Sequence, residues 1–429
     1  MLLPVLILAS CSDEADQVDE PDDAEQVDEP DEVEQAEESD EVEAEESDEV
    51  ADADTADDDQ ECIRNVMVYP PQHCPVADDS FAAFAGSLAS GDHGYYAYRH
   101  VEFMQDNFPN RVPFTYEELA TAEWIVDELL EMGFSEDMIE MTEFNASEII
   151  IDSLNDIELE FTDLVEMMTS NFESVGYYNI STRRESDDSQ NIILTIPGES
   201  DEVIIVGAHY DSPGQASISD NAGGVAVLLE SARRMQEVDN YYTIQYVFFG
   251  AEEAFLVGVL HYTLSLTEEE IDNIALMINV DVIFDGPELI YAAGYINPPE
   301  DDLSRGMGTV MMLLIEERLE VQENNITTHI DELAAELNSN YDLEKQDLST
   351  GVFVTSDHLA FLELGLPVLV FYATHPLEDY YPDEIFIGDV FHSAYDDLHF
   401  MNETFPGRIE RALHTYSIFL EQILLANFE

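Results

Sequence analysis

The middle and C-terminal parts of this 429-residue chain contain six histidines and acidic residues whose spacing suits metal binding. Side chains of these kinds bind zinc. Five of the six residues lie at, or just after, a short apolar run, and the sixth lies in a loop before a helical run. Ligands gather at the carboxyl ends of the strands in an open α/β sheet, so we expect the six side chains to meet at one sheet edge. They are His209, Asp220, Glu252, Glu253, Asp281 and His392.

The elements that must position these residues are indicated by the hydrophobic pattern. Short continuous apolar runs bounded by turn residues are typical of buried strands in a sheet covered by helices. Helical runs alternate with them, which predicts one α/β domain with a mixed, mostly parallel central sheet flanked by helices. Helices are predicted at 80–99, 116–132, 225–235 and 404–428, and strands at 175–180, 191–196, 203–206, 243–249, 274–280 and 367–372.

Five of the six residues suffice to hold two zinc ions. Zinc favours four ligands, and a catalytic zinc keeps one position for water. Paired catalytic zincs lie about 3.5–4 Å apart, close enough for Asp220 to bridge them. One ion is predicted to bind His209, Asp281 and the bridge, and the other to bind Glu253, His392 and the bridge, with a water shared between them.

The sixth residue, Glu252, is left free for chemistry. Adjacent side chains of extended backbone point in opposite directions, so the neighbouring glutamate can reach a metal while Glu252 faces the shared water. A carboxylate there can take a proton and return it to the leaving amine. Asp211 shares a face with His209 and can orient its imidazole, and Asp396 can do the same for His392.

Taken one at a time, most of these residues have ordinary structural interpretations. A single histidine at a strand end is more often a hydrogen-bonded structural residue, and an acidic pair is common in so acidic a chain. Asp281 differs, because the apolar run before it would bury a charge that needs a partner. The order, the strand-end placement and the complete ligand count of the whole set favour a metal site.

Other histidines and acidic residues are not assigned to the metals. Ser356-Asp357 is interpreted as a helix-capping signal, and His358 beside it is given no metal role. The remaining histidines lack a partner pattern and are interpreted as surface or structural residues: His261, His375 and His399.

Six segments resemble the successive motifs of metallopeptidase family twenty-eight, which contains secreted di-zinc aminopeptidases, glutamate carboxypeptidases and glutaminyl cyclases. The resemblance covers roughly residues 81–429 and is most specific over 190–400. It implies a zinc-exopeptidase fold of the phosphorylase/hydrolase type. The segments are GAHYDS (207–212), SDNAGGVAVLLESAR (219–233), FFGAEEAFLVG (248–258), INVD (278–281), SDHLAFLELGLPVLVF (356–371) and FHSAYDD (391–397).

The same resemblance implies residue roles. The family residues that match the five predicted ligands bind zinc, the one that matches Glu252 is the proton shuttle, and the one that matches Asp211 is a catalytic aspartate behind the ligands. Two departures are mild: Val282 stands where the family commonly has methionine, and Ser393 stands where threonine is usual.

These residues and the resemblance predict an exported di-zinc aminopeptidase that acts on peptides. Two enzymes on the same scaffold remain open. A glutamate-carboxypeptidase type needs a cation for the substrate carboxylate, usually arginine, and the motifs contain only Arg233 and Arg234, on a helix. A glutaminyl cyclase is suggested by the segment EEAF (252–255), which resembles the cyclase version of that motif. A non-catalytic surface binding protein is the third alternative, and the complete ligand set argues against it.

The N-terminus predicts export. Residues 1–11 are short and apolar and end in Leu8-Ala9-Ser10-Cys11, which is typical of a signal peptide and resembles a bacterial lipobox. We therefore expect a lipid on Cys11 and an anchor in the cell envelope, although no basic residue precedes the apolar run.

Residues 12–60 predict a disordered acidic spacer, since they contain 27 acidic and no basic residues. Such a segment is repelled by nucleic acid, which is therefore not an expected partner. Residues 61–80 form a connector bounded by Cys62 and Cys74, for which a disulfide is expected in an oxidising compartment. The peptidase domain is predicted at 81–429, with insertions at about 148–173 and 299–350 that shape the substrate pocket.

The charge of the remaining chain is also unusual. Of 97 acidic residues, 27 lie in the spacer, which leaves 70 against 12 basic residues. Such charge repels itself in dilute buffer, whereas at molar salt the screening length falls to about 3 Å. This indicates a halophilic habitat, with selection for solubility as the alternative. The sequence gives no indication of oligomeric state.

Overall fold

The computed structural model describes residues 77–153, 186–214, 216–297, 321–346, 348, 356–375 and 390–428. Several predicted features lie outside these residues: the signal peptide with Cys11, the acidic spacer, the cysteine pair Cys62 and Cys74, the strand at 175–180, and most of the two insertions. They stay predictions.

The described strands form one eight-stranded sheet in the order β1-β2-β4-β3-β5-β8-β6-β7. The four central strands, β4, β3, β5 and β8, are parallel to one another. Antiparallel strands flank them on both sides, β2 against β4 and β6 against β8. The strands are β1 Ile139–Asn145, β2 Asp188–Ile196, β3 Val203–His209, β4 Thr243–Phe249, β5 Ile274–Val280, β6 Glu288–Gly294, β7 Leu343–Lys345 and β8 Val368–Thr374.

Helices cover both faces of this sheet, because the central strands are apolar on both faces. In β3, Ile204 and Val206 face one buried cluster while Ile205 faces the other. One cluster includes residues of α1, α2, α4, α7 and α10, and the other includes residues of α5 and α8. The helices are α1 Tyr95–Asn107, α2 Tyr116–Met132, α3 Ala146–Ser153, α4 Gly223–Met235, α5 Val257–Ser265, α6 Glu268–Asn273, α7 Asn325–Tyr341, α8 His358–Glu363, α9 Leu398–Thr404 and α10 Arg408–Leu424.

This architecture confirms the predicted fold class, a mixed, mostly parallel α/β sheet flanked by helices. Two predicted helices were wrong in extent. The helix expected over 80–99 begins only at Tyr95, and the helix expected over 404–428 begins only at Arg408 and ends at Leu424, while α9 ends at Thr404, where the prediction began. Within the second predicted insertion, the described residues form α7 and the edge strand β7.

The N-terminus of α1 is completed by a residue of α4. The backbone N–H groups of Gly94 and Ala97 donate to the two carboxylate oxygens of Glu230, at 2.7 and 2.8 Å, and Arg234 donates to the same carboxylate at 2.8 Å. The first N–H groups of a helix have no partner within it, and Gly94 at the cap position has no side chain to offer. Glu230, which is fully buried, therefore serves as the cap.

No helix among the described residues combines the length and the apolarity that crossing a bilayer requires.

Candidate metal centre and active site

Five buried side chains form two groups at the carboxyl ends of the central strands. Within each group the potential ligand atoms all lie within 4.8 Å of one another. These are the two groups that the sequence predicts for two zinc ions. The first is His209, Asp220 and Asp281, and the second is Asp220, Glu253 and His392.

Asp220 belongs to both groups and turns one oxygen towards each. Its Oδ1 lies 3.1 Å from Nε2 of His209, and its Oδ2 lies 2.9 Å from Nε2 of His392. The other distances are similar, 3.3 Å from His209 Nε2 to Asp281 Oδ1 and 3.5 Å from His392 Nε2 to Glu253 Oε1. Asp220 thus lies between the two groups, where the sequence predicts a bridge, and the bridge itself stays a prediction.

The parallel sheet places three of these ligands. His209 is the last residue of β3, and Asp281 directly follows β5. The ladder continues past the strand ends, where Tyr210 N donates to Phe249 O at 2.9 Å and Asp281 N donates to Phe371 O at 3.0 Å. Glu253 follows β4 after a short turn. Since neighbouring parallel strands end side by side, these three side chains reach the same edge.

Both groups have buried polar atoms that a cation would satisfy. Among the described residues, neither ring nitrogen of His209 has a hydrogen-bond partner, nor does Oε1 of Glu253 or Oδ1 of Asp281. Buried polar atoms are normally paired, and buried charges are paired or coordinate metals. Imidazole nitrogens and carboxylate oxygens with open positions are ligands that suit zinc, so these residues fit that metal.

The pKa shifts of the two histidines also indicate a site that favours positive charge. Burial alone disfavours a charged imidazole, but the carboxylates of Glu253 and Asp220 outweigh it and raise the pKa of His392 to about 10. In the same way, Glu252 and Asp281 outweigh burial and raise the pKa of His209 well above its usual value. Each imidazole therefore lies where positive charge is strongly favoured.

Asp211 lies behind both His209 and the glutamate pair. Its Oδ1 is 3.5 Å from Nδ1 of His209, which is long for a hydrogen bond, so the orienting role stays a prediction. Its two oxygens also accept the backbone N–H groups of Glu252 and Glu253, each at 3.0 Å. One fully buried carboxylate thus holds the backbone of a candidate ligand of the second group and of the predicted proton shuttle.

Glu252 is suited to proton transfer. Burial, together with the charges of Glu253 and Asp357, raises its pKa well above the usual value of a glutamate, against the opposing effect of His209. A carboxyl group with a raised pKa holds its proton more readily than an ordinary glutamate, and such a group can serve as a base and then as an acid. The side chain is only part-buried, so a substrate can approach it.

Asp396 holds the backbone of the bridging residue, a role that the sequence did not indicate. Its Oδ1 accepts from Ser219 N at 2.7 Å, and its Oδ2 accepts from Asp220 N at 3.1 Å. Burial raises the pKa of Asp396 to about 7, with a further contribution from the charge of Asp220. The expected contact with His392 stays a prediction.

Ser356 supports a ligand, so interpreting Ser356-Asp357 as a capping signal was wrong. The N-cap residue Asp357 makes no side-chain capping bond to α8. Instead, Ser356 Oγ donates to Asp281 Oδ2 at 2.7 Å and accepts from Asn279 Nδ2 at 2.7 Å. No local pattern could reveal this contact, because the two partners are 75 positions apart.

The acidic and imidazole residues that the sequence left without a metal role lie in different surroundings, and that part of the prediction stays a prediction. Asp357 is fully buried near the first group, and burial raises its pKa well above the usual value. Burial lowers the pKa of His358 to about 4, which keeps it neutral. His261 stacks on Phe144 with ring centroids 4.9 Å apart, and His399 is exposed.

A buried arginine that sequence reasoning did not single out underlies the site. All three guanidinium nitrogens of Arg111 donate to backbone carbonyls, including Tyr210 O at 2.8 Å and Ala216 O and Ser217 O at 3.0 and 3.2 Å. It therefore joins the end of β3 to the loop that carries Asp220. Burial lowers its pKa to about 10, so the side chain stays charged and offsets the nearby carboxylates.

Comparisons with curated proteins point to peptidases. The chain is 37% identical over 83 residues to Aminopeptidase YwaD of Bacillus subtilis (strain 168), which covers 19% of this chain and 18% of that protein. It is 33% identical over 137 residues to Probable lipoprotein aminopeptidase LpqL of Mycobacterium tuberculosis (strain ATCC 25618 / H37Rv), which covers 28% and 27%. The alignments span less than a third of these relatives.

Comparison with solved structures supports the fold. The structure of a zinc aminopeptidase from Bacillus subtilis matches with a TM-score of 0.50 and 17% identity, over 78% of this chain and 96% of that one. At this identity the likeness shows the fold alone. The sequence profile of Peptidase family M28 matches residues 191–417, which include the two ligand groups, Asp211, Glu252 and Asp396. With more than half of its length matched by this profile, the chain belongs to peptidase family M28.

Proposed function

We propose that this protein is a di-zinc aminopeptidase that removes N-terminal residues from peptides. The observation that carries the proposal is Asp220, which turns one oxygen to each of two buried ligand groups. Glu252, with its raised pKa, adjoins the second group. Aminopeptidases are also among the relatives in sequence.

In this proposal the five ligands hold two zinc ions. When bound, the ions polarise the scissile carbonyl, activate water and stabilise the negative charge of the transition state. A carboxylate oxygen of Glu252 takes the proton of the attacking water and then delivers it to the leaving amine nitrogen. The Asp211 carboxylate keeps Glu252 in place by accepting the backbone N–H of Glu252.

The charges around the site favour a free amino terminus over a free carboxyl terminus as the part of the substrate that is recognised. A peptide carboxylate is usually bound by arginine. The two arginines within the motifs are engaged elsewhere, Arg233 with Glu128 at 3.5 Å and Arg234 with Glu230 at 2.8 Å. The many carboxylates around the site suit the substrate ammonium group.

The test is release of p-nitroaniline from a panel of aminoacyl-p-nitroanilides in high salt, with and without a chelator. Chelator-sensitive release from free but not N-blocked substrates supports an aminopeptidase. No release with two zincs bound contradicts it and favours the carboxypeptidase type or a glutaminyl cyclase, which blocked peptides and N-terminal glutamine substrates then separate. No release and no bound metal favours a non-catalytic binding protein.

We further propose that the protein is exported and anchored in the cell envelope through a lipid on Cys11. The lipobox-like segment carries this proposal, and one relative is named a probable lipoprotein aminopeptidase. In a bacterium that processes lipoproteins, the protein should incorporate labelled fatty acid and fractionate with membranes. Cys11→Ser should abolish both, and labelling that persists in this variant contradicts the proposal.

The acidic surface supports a proposed saline habitat. With 97 acidic and 12 basic residues, the folded state should be stabilised by molar potassium chloride, because screening removes its self-repulsion. The free energy of unfolding should rise from dilute buffer to molar salt. A free energy that is independent of salt contradicts this proposal.

A further inference from the structure

Glu118 lies at the start of α2, and its sequence context predicts an ordinary helix cap. Thr115 and Glu118 have the spacing of a capping box, and Glu118 N donates to Thr115 Oγ1 at 3.3 Å. One oxygen of Glu118, Oε2, remains close to the helix start, where it accepts from Phe114 N. The side chain is only 1% exposed, so its other oxygen must also find partners in the interior.

That other oxygen leaves the helix and reaches the loop that carries Glu252. Oε1 of Glu118 accepts from Ala251 N at 3.1 Å and from Ser189 Oγ at 2.6 Å. Ala251 directly precedes Glu252 and lies 133 positions after Glu118. The first turn of α2 is thereby tied to the carboxyl end of β4.

Three consecutive backbone N–H groups of this loop point at two buried carboxylates. Ala251 N donates to Glu118, and Glu252 N and Glu253 N donate to the two oxygens of Asp211 at 3.0 Å each. Asp211 fixes the peptides on both sides of Glu252, and Glu118 fixes the peptide before them.

The conformation of Ala251 needs such support. Its φ of 54° lies in the left-handed region, which costs a residue with a Cβ atom roughly 1–2 kcal/mol. Such conformations persist where the surroundings determine them, often at functional sites. A glutamate that holds the Ala251 N–H therefore helps to set the direction in which the chain enters Glu252.

We propose that Glu118 is a positioning residue for Glu252 and acts through the backbone of Ala251. The inference rests on the proposed function, because it assigns Glu252 the proton transfer. Displacement of a catalytic group by about 1 Å can cost 100-fold in rate. Shortening Glu118 should lower kcat by about 10- to 100-fold while KM and metal content stay unchanged.

Glu230 offers a matched control. Like Glu118, it is a buried glutamate that accepts two backbone N–H groups, but it caps α1. Glu118→Asp and Glu230→Asp keep the carboxyl group and shorten the reach by one methylene, and both should destabilise the fold. Only Glu118→Asp should lower kcat. Glu118→Gln, whose amide oxygen can still accept from Ala251, should retain more kcat than Glu118→Asp.

A second readout does not depend on activity. In metal-free protein, hydrogen–deuterium exchange of peptides containing Ala251 should be faster in Glu118→Asp than in wild type or Glu230→Asp. Wild-type exchange and wild-type kcat in Glu118→Asp overturn the inference, as does a fall in kcat that only parallels lost zinc. If Glu118→Asp does not fold, Glu118→Met, which has a similar length but offers Ala251 N–H no carboxyl or amide oxygen, takes its place, and wild-type kcat with wild-type exchange in that variant overturns the inference. An inactive wild type contradicts the proposed function instead, and the exchange measurement still tests the positioning.

Discussion

Asp396 accepts the backbone N–H of Asp220 at 3.1 Å, so one buried aspartate holds another from behind. The same carboxylate accepts the N–H of Ser219 at 2.7 Å. The loop before α4 would otherwise leave these N–H groups buried without acceptors, which costs about 1–3 kcal/mol for each group. The bridging position of Asp220 therefore depends on a residue 176 positions later in the chain.

Asp220→Ala should lose both metal ions, because each ligand group loses an oxygen. Glu253→Ala, which removes a ligand from the second group only, is the matched control and should lose one ion. Elemental analysis after dialysis against metal-free buffer measures both. Two ions retained in Asp220→Ala would show that this residue is not the bridge.

Glu252→Gln should keep its zinc and lose about 100- to 10,000-fold in kcat, the usual contribution of a general acid–base group. The amide is nearly the same size as the carboxylate but cannot accept and return a proton. Steady-state kinetics and metal analysis on the same preparation test this. Full activity in the variant would exclude Glu252 as the proton shuttle.

Ser356→Ala should weaken zinc binding by about 10- to 100-fold, as is typical when a group that orients a metal ligand is lost. The hydroxyl donates to Asp281 at 2.7 Å. Ser231→Ala, which removes a buried hydroxyl 2.8 Å from the Tyr246 hydroxyl, is the control and should leave zinc affinity unchanged. Competition with a chelator gives the affinities, and equal values in the two variants would contradict the role of Ser356.

His100 should make the fold sensitive to mild acid. Burial lowers its pKa from the ordinary 6.5 to about 4, and the charge of Arg233 acts in the same direction. Glu128 is also close, 3.9 Å from Nε2. Since the unfolded chain binds the proton more readily, stability is complete above pH 6.5 and falls as the pH drops towards 4, by about 2 kcal/mol at pH 5.

Replacing this histidine with a neutral residue tests the effect. The free energy of unfolding, measured with urea at pH 7.5 and pH 5, should fall about 2 kcal/mol less in His100→Gln than in wild type. An equal fall in both proteins would mean that His100 is not the group responsible.

The parts of the fold that the sequence predicts well are those with a strong local signal. Strands β4 and β5 occupy the predicted residues, because continuous apolar runs end there in turn residues. Helix α2 also matches at both ends, since Thr115 caps its start and Gly133, with a φ of 103°, ends it. The candidate metal ligands other than Asp220 follow from the same signal, as they stand at or after the ends of such runs.

In two segments that the sequence predicts as helical, glycines with positive φ angles interrupt or delay the helix. The segment from residue 80 has helix-forming composition, but Gly86, Gly91 and Gly94 all have positive φ angles, so the chain turns until α1 begins. Near the C-terminus, Gly407 has a φ of 84° and starts a new helix.

The contacts that hold the loops of the site could not be predicted from local sequence, because their partners are far apart in the chain. Glu118, Arg111 and Asp396 each act on a loop about 100 or more positions away. In a chain with 97 acidic residues, no sequence feature distinguishes a buried glutamate from its solvated neighbours. Only the folded structure brings these partners together.

The cap on α1 has a consequence for the order in which the chain can fold during synthesis. Gly94 and Glu230 are 136 positions apart, so α1 emerges from the ribosome long before its cap exists. Short isolated helices are marginal in water, and contacts this distant in sequence form late. Helix α1 must therefore wait for α4, and a fragment that ends after α2 should leave α1 without its cap and should not fold.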